Sequence, residues 1–235
     1  MRQPPRTGLV DALQALDTCS VANAIETFEV RLRNEGFTDG TVRCLFPELP
    51  PVAGHAVTAR IRTSTPPPVG HTYYDRTDWW TYVATIPAPR FIVVQDIDGR
   101  PGAGAFLGEI HANILRALDC VAYLTNGAVR DLPAVRALKL QLIAGSTVPS
   151  HGFTHMVDFG NPVEVGGLPV EPGMILLADC HGAISIPEAI ADRVPSVVAD
   201  MRARERAVVE LCRSPAFSLE RLRSAVEGFR GGVKK

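Results

Sequence analysis

Apolar residues at helical spacing dominate the first part of the chain. The segments GLVDALQALD and SVANAIETFEVRLRNEG are typical of amphipathic helices, which we place between residues 8 and 35. Ser20 is a suitable N-cap for the second helix. Its apolar positions recur at a period of three to four residues, at Val21, Ala24, Ile25, Phe28 and Leu32. A helical N-terminal region is therefore expected.

The middle of the chain alternates between strand and helix patterns. β-Branched or alternating runs predict strands at Val52–Thr63, Arg90–Asp98, Cys120–Thr125 and Leu140–Ser146. Amphipathic spacing predicts helices at Asp78–Ile86 and Gly104–Leu118, with a further short helix after Asp131. Strands that alternate with helices are typical of right-handed βαβ units with a mainly parallel sheet. The predicted fold class is therefore α/β with a parallel βαβ core.

The remainder of the chain changes from strands to helices. Turns and short strands continue to Pro187, and helical patterns follow near Glu188–Arg213 and Ser218–Phe229. No Gly- or Ser-rich linker divides the 235 residues. We predict a single domain, with an α/β core at about residues 50–187 and C-terminal helices at 188–230.

Charge and cysteine content restrict the possible functions. The formal net charge is −1, without a basic patch, and this argues against a nucleic-acid or anionic-membrane partner. Five cysteines lie apart without CxxC spacing, as expected for a reducing compartment. No segment has the length of a membrane span or the pattern of a signal peptide. The expectation is a cytoplasmic protein that acts on a small molecule.

The candidate chemistry lies in two short motifs, GAFLGEI and NGAVRDL. Twenty residues separate Glu109 from Arg130, enough for a helix to descend beside the sheet and a strand to return. A glycine turn then brings Arg130 and Asp131 to the start of a new helix. Glu109 and Asp131 should therefore share the carboxyl-end rim of the parallel strands, where open α/β sheets bind ligands.

The residue types at this rim suit a small organic acid. Amides at the start of the predicted helix, from Leu107, Gly108, Glu109 and Ile110, lack intrahelical acceptors and attract anions. Arg130 can bind a carboxylate with its planar fork. Two carboxylates beside an anion site then require a divalent cation, for which oxygen ligands favour Mg²⁺ or Mn²⁺. Alternatively, Asp131 is only a helix N-cap and Glu109 only complements a helix dipole.

These motifs, together with PVEVGGLPVEPGMILLADCHGAISIP, resemble the RraA-like family of 4-hydroxy-4-methyl-2-oxoglutarate aldolases and regulators of ribonuclease E activity. The likeness extends from about Asp17 to Pro187. It implies a swivelling β/β/α sandwich that assembles as a homotrimer or hexamer with sites between subunits. It also implies class II aldolase chemistry that releases pyruvate from a 2-keto acid, with oxaloacetate decarboxylation as a side activity.

Carried over to this chain, the resemblance implies a role for each residue. Asp131 would bind the metal directly, and Glu109 would bind it through water. Arg130 would hold the substrate carboxylate and keto oxygen, and the amides near Glu109–His111 would bind the carboxylate. The chain departs from the family at Glu109 in place of Asp, at Met174 in the Pro-Gly-Asp turn, and at Asn23 in place of Asp.

Other functions remain as alternatives. A Schiff-base aldolase needs a buried lysine, and the only lysines are Lys139 at an element boundary and two in the C-terminal tail. The histidines offer a rival group, in which His151, His155 and Asp158 are joined by Asp179 and His181 of ADCHG. The first segment would suggest zinc only if it were helical, whereas Gly152 favours a loop or strand, so a structural or substrate-lining role is favoured. His111 lines the pocket or is an ordinary exposed histidine. A methyltransferase is disfavoured because no early GxGxG loop exists. The non-enzymatic alternative is a regulator resembling the ribonuclease inhibitors of the family.

Overall fold

The computed structural model describes residues 7–69, 72 and 76–231. Within them, nine strands form one mixed sheet whose path runs β1-β6-β5-β3-β2-β10-β11, with β4 paired to β5 and β7 to β2. The strands of this sheet are β1 (Arg43–Cys44), β2 (Val52–Arg62), β3 (Arg90–Asp96), β4 (Ala105–Leu107), β5 (Cys120–Val129), β6 (Gln141–Thr147), β7 (His155–Phe159), β10 (Ile175–Asp179) and β11 (Gly182–Ile186). A separate hairpin joins β8 (Val163–Val165) to β9 (Leu168–Val170).

The four central strands β2, β3, β5 and β6 are parallel to one another. Helices α3 (Asp78–Thr85), α4 (Glu109–Ala117) and α5 (Leu132–Ala137) connect them. This confirms the predicted α/β class and its βαβ core. The β-rich segment expected before Pro187 is also present, and β10 pairs antiparallel with both β2 and β11.

Alternate residues of each central strand face different layers. Ile92 and Val94 of β3 pack with the helices, in a core that includes Trp79 of α3 and Leu115 of α4. Their neighbours in the strand face the opposite side, in a core shared with the β8–β9 hairpin. The sheet thus lies between a helical layer and a second β layer, which is the predicted β/β/α sandwich.

The terminal helices are α1 (Thr7–Gln14), α2 (Thr18–Glu26), α6 (Val194–Arg213) and α7 (Leu219–Gly231), with a 3₁₀ turn at Glu188–Ile190 before α6. The first three cover the β2–β10–β11 edge of the sheet, and α7 contacts α6. A core of α1, α2 and α6 side chains packs on Leu177 and Ile184. Of the described residues, no helix is both long and apolar enough to cross a membrane.

Three element predictions need correction. The second helix begins at Thr18 and ends at Glu26, and its N-cap is Asp17, whose carboxylate accepts the Ser20 amide hydrogen at 2.7 Å. Leu32 lies beyond this helix and is 65% exposed. The segment expected to be one helix from Gly104 contains strand β4 before α4 begins at Glu109.

The predicted glycine turn after Thr125 is wrong, because β5 continues to Val129. The strand passes through a bulge between Thr125 and Ala128, where its register to β6 shifts. Asn126 fills the gap in the backbone ladder with its side chain. Its Oδ1 accepts the Asp96 amide hydrogen at 2.7 Å, and its Nδ2 donates to the Asp96 carbonyl at 2.9 Å. The side chain therefore replaces lost strand hydrogen bonds, so the chain continues rather than turns.

Candidate active site

Asp131 has an unusual backbone for its position. It stands as the N-cap of α5, yet its φ of 57° and ψ of 36° are left-handed, and its side chain makes no capping hydrogen bond. N-cap residues normally have an extended backbone and accept a hydrogen bond from their own helix. The interpretation of Asp131 as a simple helix cap is therefore wrong.

The Asp131 carboxylate instead contacts the start of the neighbouring helix. Its Oδ2 accepts the backbone amide hydrogen of Glu109 at 2.9 Å, which is the first N–H group of α4. The side chain is 39% exposed. Among the described residues no hydrogen bond or ion pair involves Oδ1, so its lone pairs are available.

Arg130 lies beside this carboxylate and keeps part of its fork open. Its Nε is 3.5 Å from Asp131 Oδ2, and its Nη1 donates to the Pro149 carbonyl at 3.4 Å. Both contacts are long, and the side chain is 35% exposed. A partly exposed ion pair of this length contributes little to stability. Arg130 is therefore not locked in a structural ion pair, and its guanidinium can bind a substrate carboxylate.

Gly108 makes room for both side chains. A Cβ atom at this position would lie 2.7 Å from Asp131 Oδ2 and 3.0 Å from Arg130 Nε. No ordinary Cβ contact is that short, so any side chain at residue 108 would displace the carboxylate or the guanidinium. The glycine is required by this close approach.

Strand β4 determines where the start of α4 lies relative to the end of β5. Ala105 lies opposite Ala128 and Leu107 opposite Val129, and the Arg130 amide donates to the Leu107 carbonyl at 3.0 Å. This pairing places the start of α4 beside the end of β5. The prediction required one helix and one strand of equal length in ångström. Helix α4 has nine residues and strand β5 has ten, and a strand residue extends about twice as far as a helical one. The rim therefore depends on β4 and not on equal lengths of α4 and β5.

Three other residues predicted for the site, Glu109, Ile110 and Leu107, do not all lie at the start of α4. Glu109 is exposed in the first turn of α4, and Ile110 beside it is 63% exposed. Leu107 belongs to β4 and not to α4, so its amide is not one of the free amides at the N-terminus of the helix. Its side chain is fully buried. The amides of the first turn are those of Glu109, which Asp131 occupies, and of Ile110 and His111.

His111 neither lines the rim nor lies exposed. Its ring is buried, accepts from Trp79 Nε1 at 3.4 Å, and packs edge-on against Phe106 with ring centroids 4.8 Å apart. Burial lowers its pKa to about 4, against the weaker raising effect of the Phe106 carbonyl. The side chain is therefore a neutral core group, and both expectations for it are wrong.

A loop that the sequence did not single out completes the wall beside Arg130. Besides the Pro149 carbonyl, the Ser150 carbonyl accepts the Ala105 amide hydrogen at 3.0 Å. Gly104 is so close to this loop that a Cβ there would lie 2.2 Å from the His151 carbonyl oxygen. The Pro-Ser-His-Gly sequence at 149–152 is a turn signal, but nothing in it indicates a contact with Arg130.

The histidines predicted as a rival group do not form one site. His151 is in an exposed loop and His155 is buried in β7, so they do not share a helical face. Asp158 pairs with Arg60, whereas Asp179 and His181 lie together in the turn between β10 and β11. Lys139 is exposed, which does not suit a Schiff-base lysine. Trp79 is a core residue, and Tyr73 and Tyr74 lie outside the described residues.

The rim fits a hard divalent cation by its chemistry. It presents the Oδ1 of Asp131 and the exposed carboxylate of Glu109, both oxygen ligands of the kind that Mg²⁺ prefers. The other Asp131 oxygen is held by a backbone amide, which orients the carboxylate. Asp131 and Glu109 are therefore the residues that would hold such an ion.

This fold and rim define an α/β protein with an acid and guanidinium site at the strand ends. Residues 17–185 match the family model described as RraA-like, Aldolase/RraA, and the chain belongs to this family. A protein of Halalkalibacterium halodurans named as a candidate 4-hydroxy-4-methyl-2-oxoglutarate aldolase is 26% identical over 140 residues, 57% of this chain and 66% of that protein. An uncharacterised protein of Methanocaldococcus jannaschii is 25% identical over 136 residues, 57% of this chain and 65% of that protein. These matches span just under two thirds of the length of either relative.

Solved structures show the same fold. RraAS2 of Streptomyces coelicolor, described as an unusual member of the RNase ES inhibitor RraA protein family, superposes with a TM-score of 0.69 at 20% identity. The match covers 88% of this chain and 98% of that one. An uncharacterised protein of Pseudomonas syringae pv. tomato gives 0.74 at 19% identity, with 95% and 96% covered. At these identities the likeness concerns the fold alone.

Proposed function

We propose that this protein is a divalent-metal-dependent aldolase that cleaves a 4-hydroxy-2-oxo acid to pyruvate. One observation carries the proposal: the Asp131 carboxylate turns away from its own helix, in a left-handed backbone, and meets the first turn of α4 beside Arg130. Strained backbone conformations cluster at functional sites, and this side chain does not cap its own helix. The family also includes a relative named as an aldolase, which supports the reaction class.

Each residue of the rim has its own role in binding the substrate or the metal ion. Arg130 binds the substrate carboxylate and keto oxygen, because its fork is partly exposed and held only by long contacts. Asp131 would hold Mg²⁺ or Mn²⁺ directly, and Glu109 would hold it through water. When bound, the ion would supply Lewis-acid stabilisation of the enolate that cleavage produces. The C4 hydroxyl loses its proton to a base, the C3–C4 bond breaks to leave a carbonyl at C4, and C3 of the pyruvate enolate takes up one proton.

The same arrangement suits oxaloacetate. Loss of its C4 carboxylate produces the same pyruvate enolate, so one binding mode for the 2-oxo acid serves both reactions. We expect decarboxylation as a side activity of the same residues. The small 2-keto acid is the proposed ligand class, and the identity of the group at C4 is the substrate question to be tested.

Pyruvate release tests the proposal directly. The purified protein is supplied with 4-hydroxy-4-methyl-2-oxoglutarate or oxaloacetate, first with Mg²⁺ and then with EDTA. Asp131→Asn keeps a residue that tolerates the left-handed backbone but removes the charge, and should lower turnover more than ~100-fold. Asp119→Asn is the matched control, since Asp119 is an exposed aspartate with φ of 52° elsewhere in the fold. Activity that survives EDTA or Asp131→Asn would refute the mechanism.

The binding alternative has its own expected result. A regulator of the family's ribonuclease-inhibitor type would release no pyruvate from any 2-keto acid and would reduce ribonuclease E activity. Turnover with Mg²⁺ that Asp131→Asn abolishes would exclude a purely non-catalytic role.

A further inference from the structure

A second cluster of ligand atoms lies at the opposite end of the sheet. The hairpin between β10 and β11 carries Asp179, Cys180 and His181, with Asp179 opposite Gly182. Strand β10 runs antiparallel to β2, and Ala178 lies opposite Val52, the first residue of β2. The hairpin is thus at the amino end of the parallel strands, whereas Arg130 and Asp131 follow the carboxyl end of β5. The two groups cannot share one ligand.

The spacing of these atoms fits one tetrahedral ion. One ligand atom from each residue lies within 4.8 Å of the other two. The His181 Nδ1 is 3.4 Å from Cys180 Sγ and 3.1 Å from Asp179 Oδ1. Zinc bond lengths of about 2.0 to 2.3 Å in a tetrahedron require ligand atoms about 3.3 to 3.8 Å apart. Closing this site therefore needs movements of only a few tenths of an ångström between those pairs.

Hydrogen bonds from neighbouring residues hold one of the three ligands, Asp179, in place. The buried Asp179 carboxylate accepts the Thr18 amide hydrogen at 2.8 Å and the Thr18 hydroxyl hydrogen at 2.7 Å. It also accepts the His181 amide hydrogen at 2.8 Å, which shapes the turn. These bonds explain the aspartate structurally but do not require an imidazole or a thiol above it. The Cys180 and His181 side chains are both exposed and project from the same two-residue turn.

The three ligands indicate the kind of ion. A thiol, an imidazole and a carboxylate form a set that selects a thiophilic ion over Mg²⁺. Three protein ligands leave the fourth position of a tetrahedral zinc site to water.

We infer that Asp179, Cys180 and His181 form a binding site for a thiophilic divalent ion of the Zn²⁺ type, separate from the rim. Asp179 would connect the bound ion to the start of α2 through its hydrogen bonds with Thr18. In the bound form His181 Nδ1 exchanges its hydrogen bond with Asp179 for the metal, and the Cys180 thiol loses its proton to solvent.

Cobalt binding tests the site without reference to catalysis. The metal-free full chain is titrated with Co²⁺, and the absorption of a tetrahedral, thiolate-bound ion is followed, then displaced by Zn²⁺. One equivalent should give this spectrum in the wild type. Cys180→Ser and His181→Ala, both exposed and compatible with folding, should abolish the thiolate band or weaken binding more than ~10-fold. Asp179 is not substituted because it anchors α2.

Two controls separate this site from other positions. Cys212→Ser removes an exposed thiol of α6, and Asp131→Asn alters the rim; both should bind Co²⁺ with the wild-type spectrum. Cys180→Ser should keep Mg²⁺-dependent pyruvate release, so failure of one proposal leaves the other intact. A wild-type spectrum without a thiolate band, or unchanged Co²⁺ binding by Cys180→Ser, would overturn the inference.

Discussion

At the scale of single residues, the position of Asp131 at a helix does not explain its left-handed backbone. Across the part of the chain that the structure describes, three other non-glycine residues have positive φ: Glu29, Asp119 and Lys139. Asp119 and Lys139 each lie one residue beyond the C-cap of a helix, where a left-handed residue is common. Asp131 instead precedes α5, and a left-handed residue is not common at the N-terminus of a helix. The contact of its carboxylate with α4 is therefore the feature that explains its conformation.

Gly108→Ala should reduce activity with little effect on folding. The added methyl group would lie within 3.0 Å of Asp131 Oδ2 and Arg130 Nε, two partly exposed side chains that can move. Displacement of these groups by about 1 Å should lower pyruvate release about 100-fold. Steady-state kinetics and urea unfolding measure the two effects. Gly99→Ala is the control, since its Cβ would meet no atom within 4 Å. Equal activity of both variants would contradict the close-approach argument.

His111 should make folding stability depend on pH. Its pKa falls from 6.5 to about 4 because the ring is buried. Below pH 6.5 the unfolded chain binds a proton at this residue that the folded protein does not bind until about pH 4. Stability should thus fall as the pH is lowered through this window, by about 3 kcal/mol at its lower end.

Urea unfolding at several pH values measures this loss. His111→Gln keeps an acceptor for Trp79 but does not titrate, so its proton uptake on unfolding at pH 5 should be about one lower than in the wild type. His55, whose pKa burial also lowers, contributes equally to both proteins. The same pH slope in both proteins would show that His111 is not the cause.

At the scale of elements, the periodic segments could be predicted and the irregular ones could not. The central strands and crossover helices follow from apolar periodicity, and they place Glu109 and Asp131 at one edge. Strand β4 has three residues and lies inside an apparent helical pattern, so no periodicity reveals it. The β5 bulge depends on hydrogen bonds from Asn126 to Asp96, thirty residues away. Such contacts form only in the folded chain.

Asn126→Ala should damage both stability and the rim. Two hydrogen bonds to the Asp96 backbone would be lost, leaving a partly buried donor and acceptor unpaired, at a cost of about 1 to 3 kcal/mol. Because β5 carries Arg130 at its end, pyruvate release should fall as well. Chemical unfolding and kinetics measure both. Asn34→Ala, at an exposed residue in a loop, should change stability by less than about 0.5 kcal/mol. A stable and fully active Asn126→Ala protein would show that the bulge does not position the rim.

At the scale of the whole molecule, the sequence could indicate the fold and the rim but not the burial of individual side chains. His111 follows Glu109 by two positions, yet it faces the helical core while Glu109 faces solvent. Which face of α4 is buried depends on Trp79, which precedes His111 by 32 residues. The roles of Arg130 and Asp131 come from the family resemblance and stay a proposal, which the exposure of both side chains beside α4 supports.

The apolar side chains around the rim bear on assembly, for which we propose a homotrimer or hexamer. Ile110 is 63% exposed beside Glu109, and Phe153 is 52% exposed on the loop that contacts Arg130. Apolar residues at the border of a polar site are typical of a protein interface. If a neighbouring subunit covers them, Ile110→Glu should produce monomers and reduce pyruvate release together, because a buried unpaired charge opposes association.

Analytical ultracentrifugation of the wild type and the variant measures this effect. Val209→Glu, at a 44% exposed position on α6, is the matched control and should keep both the assembly and the activity. A monomeric wild type would contradict the proposed assembly. An Ile110→Glu variant that keeps its mass but loses activity would instead place Ile110 in substrate binding, since its amide belongs to the first turn of α4 beside Asp131.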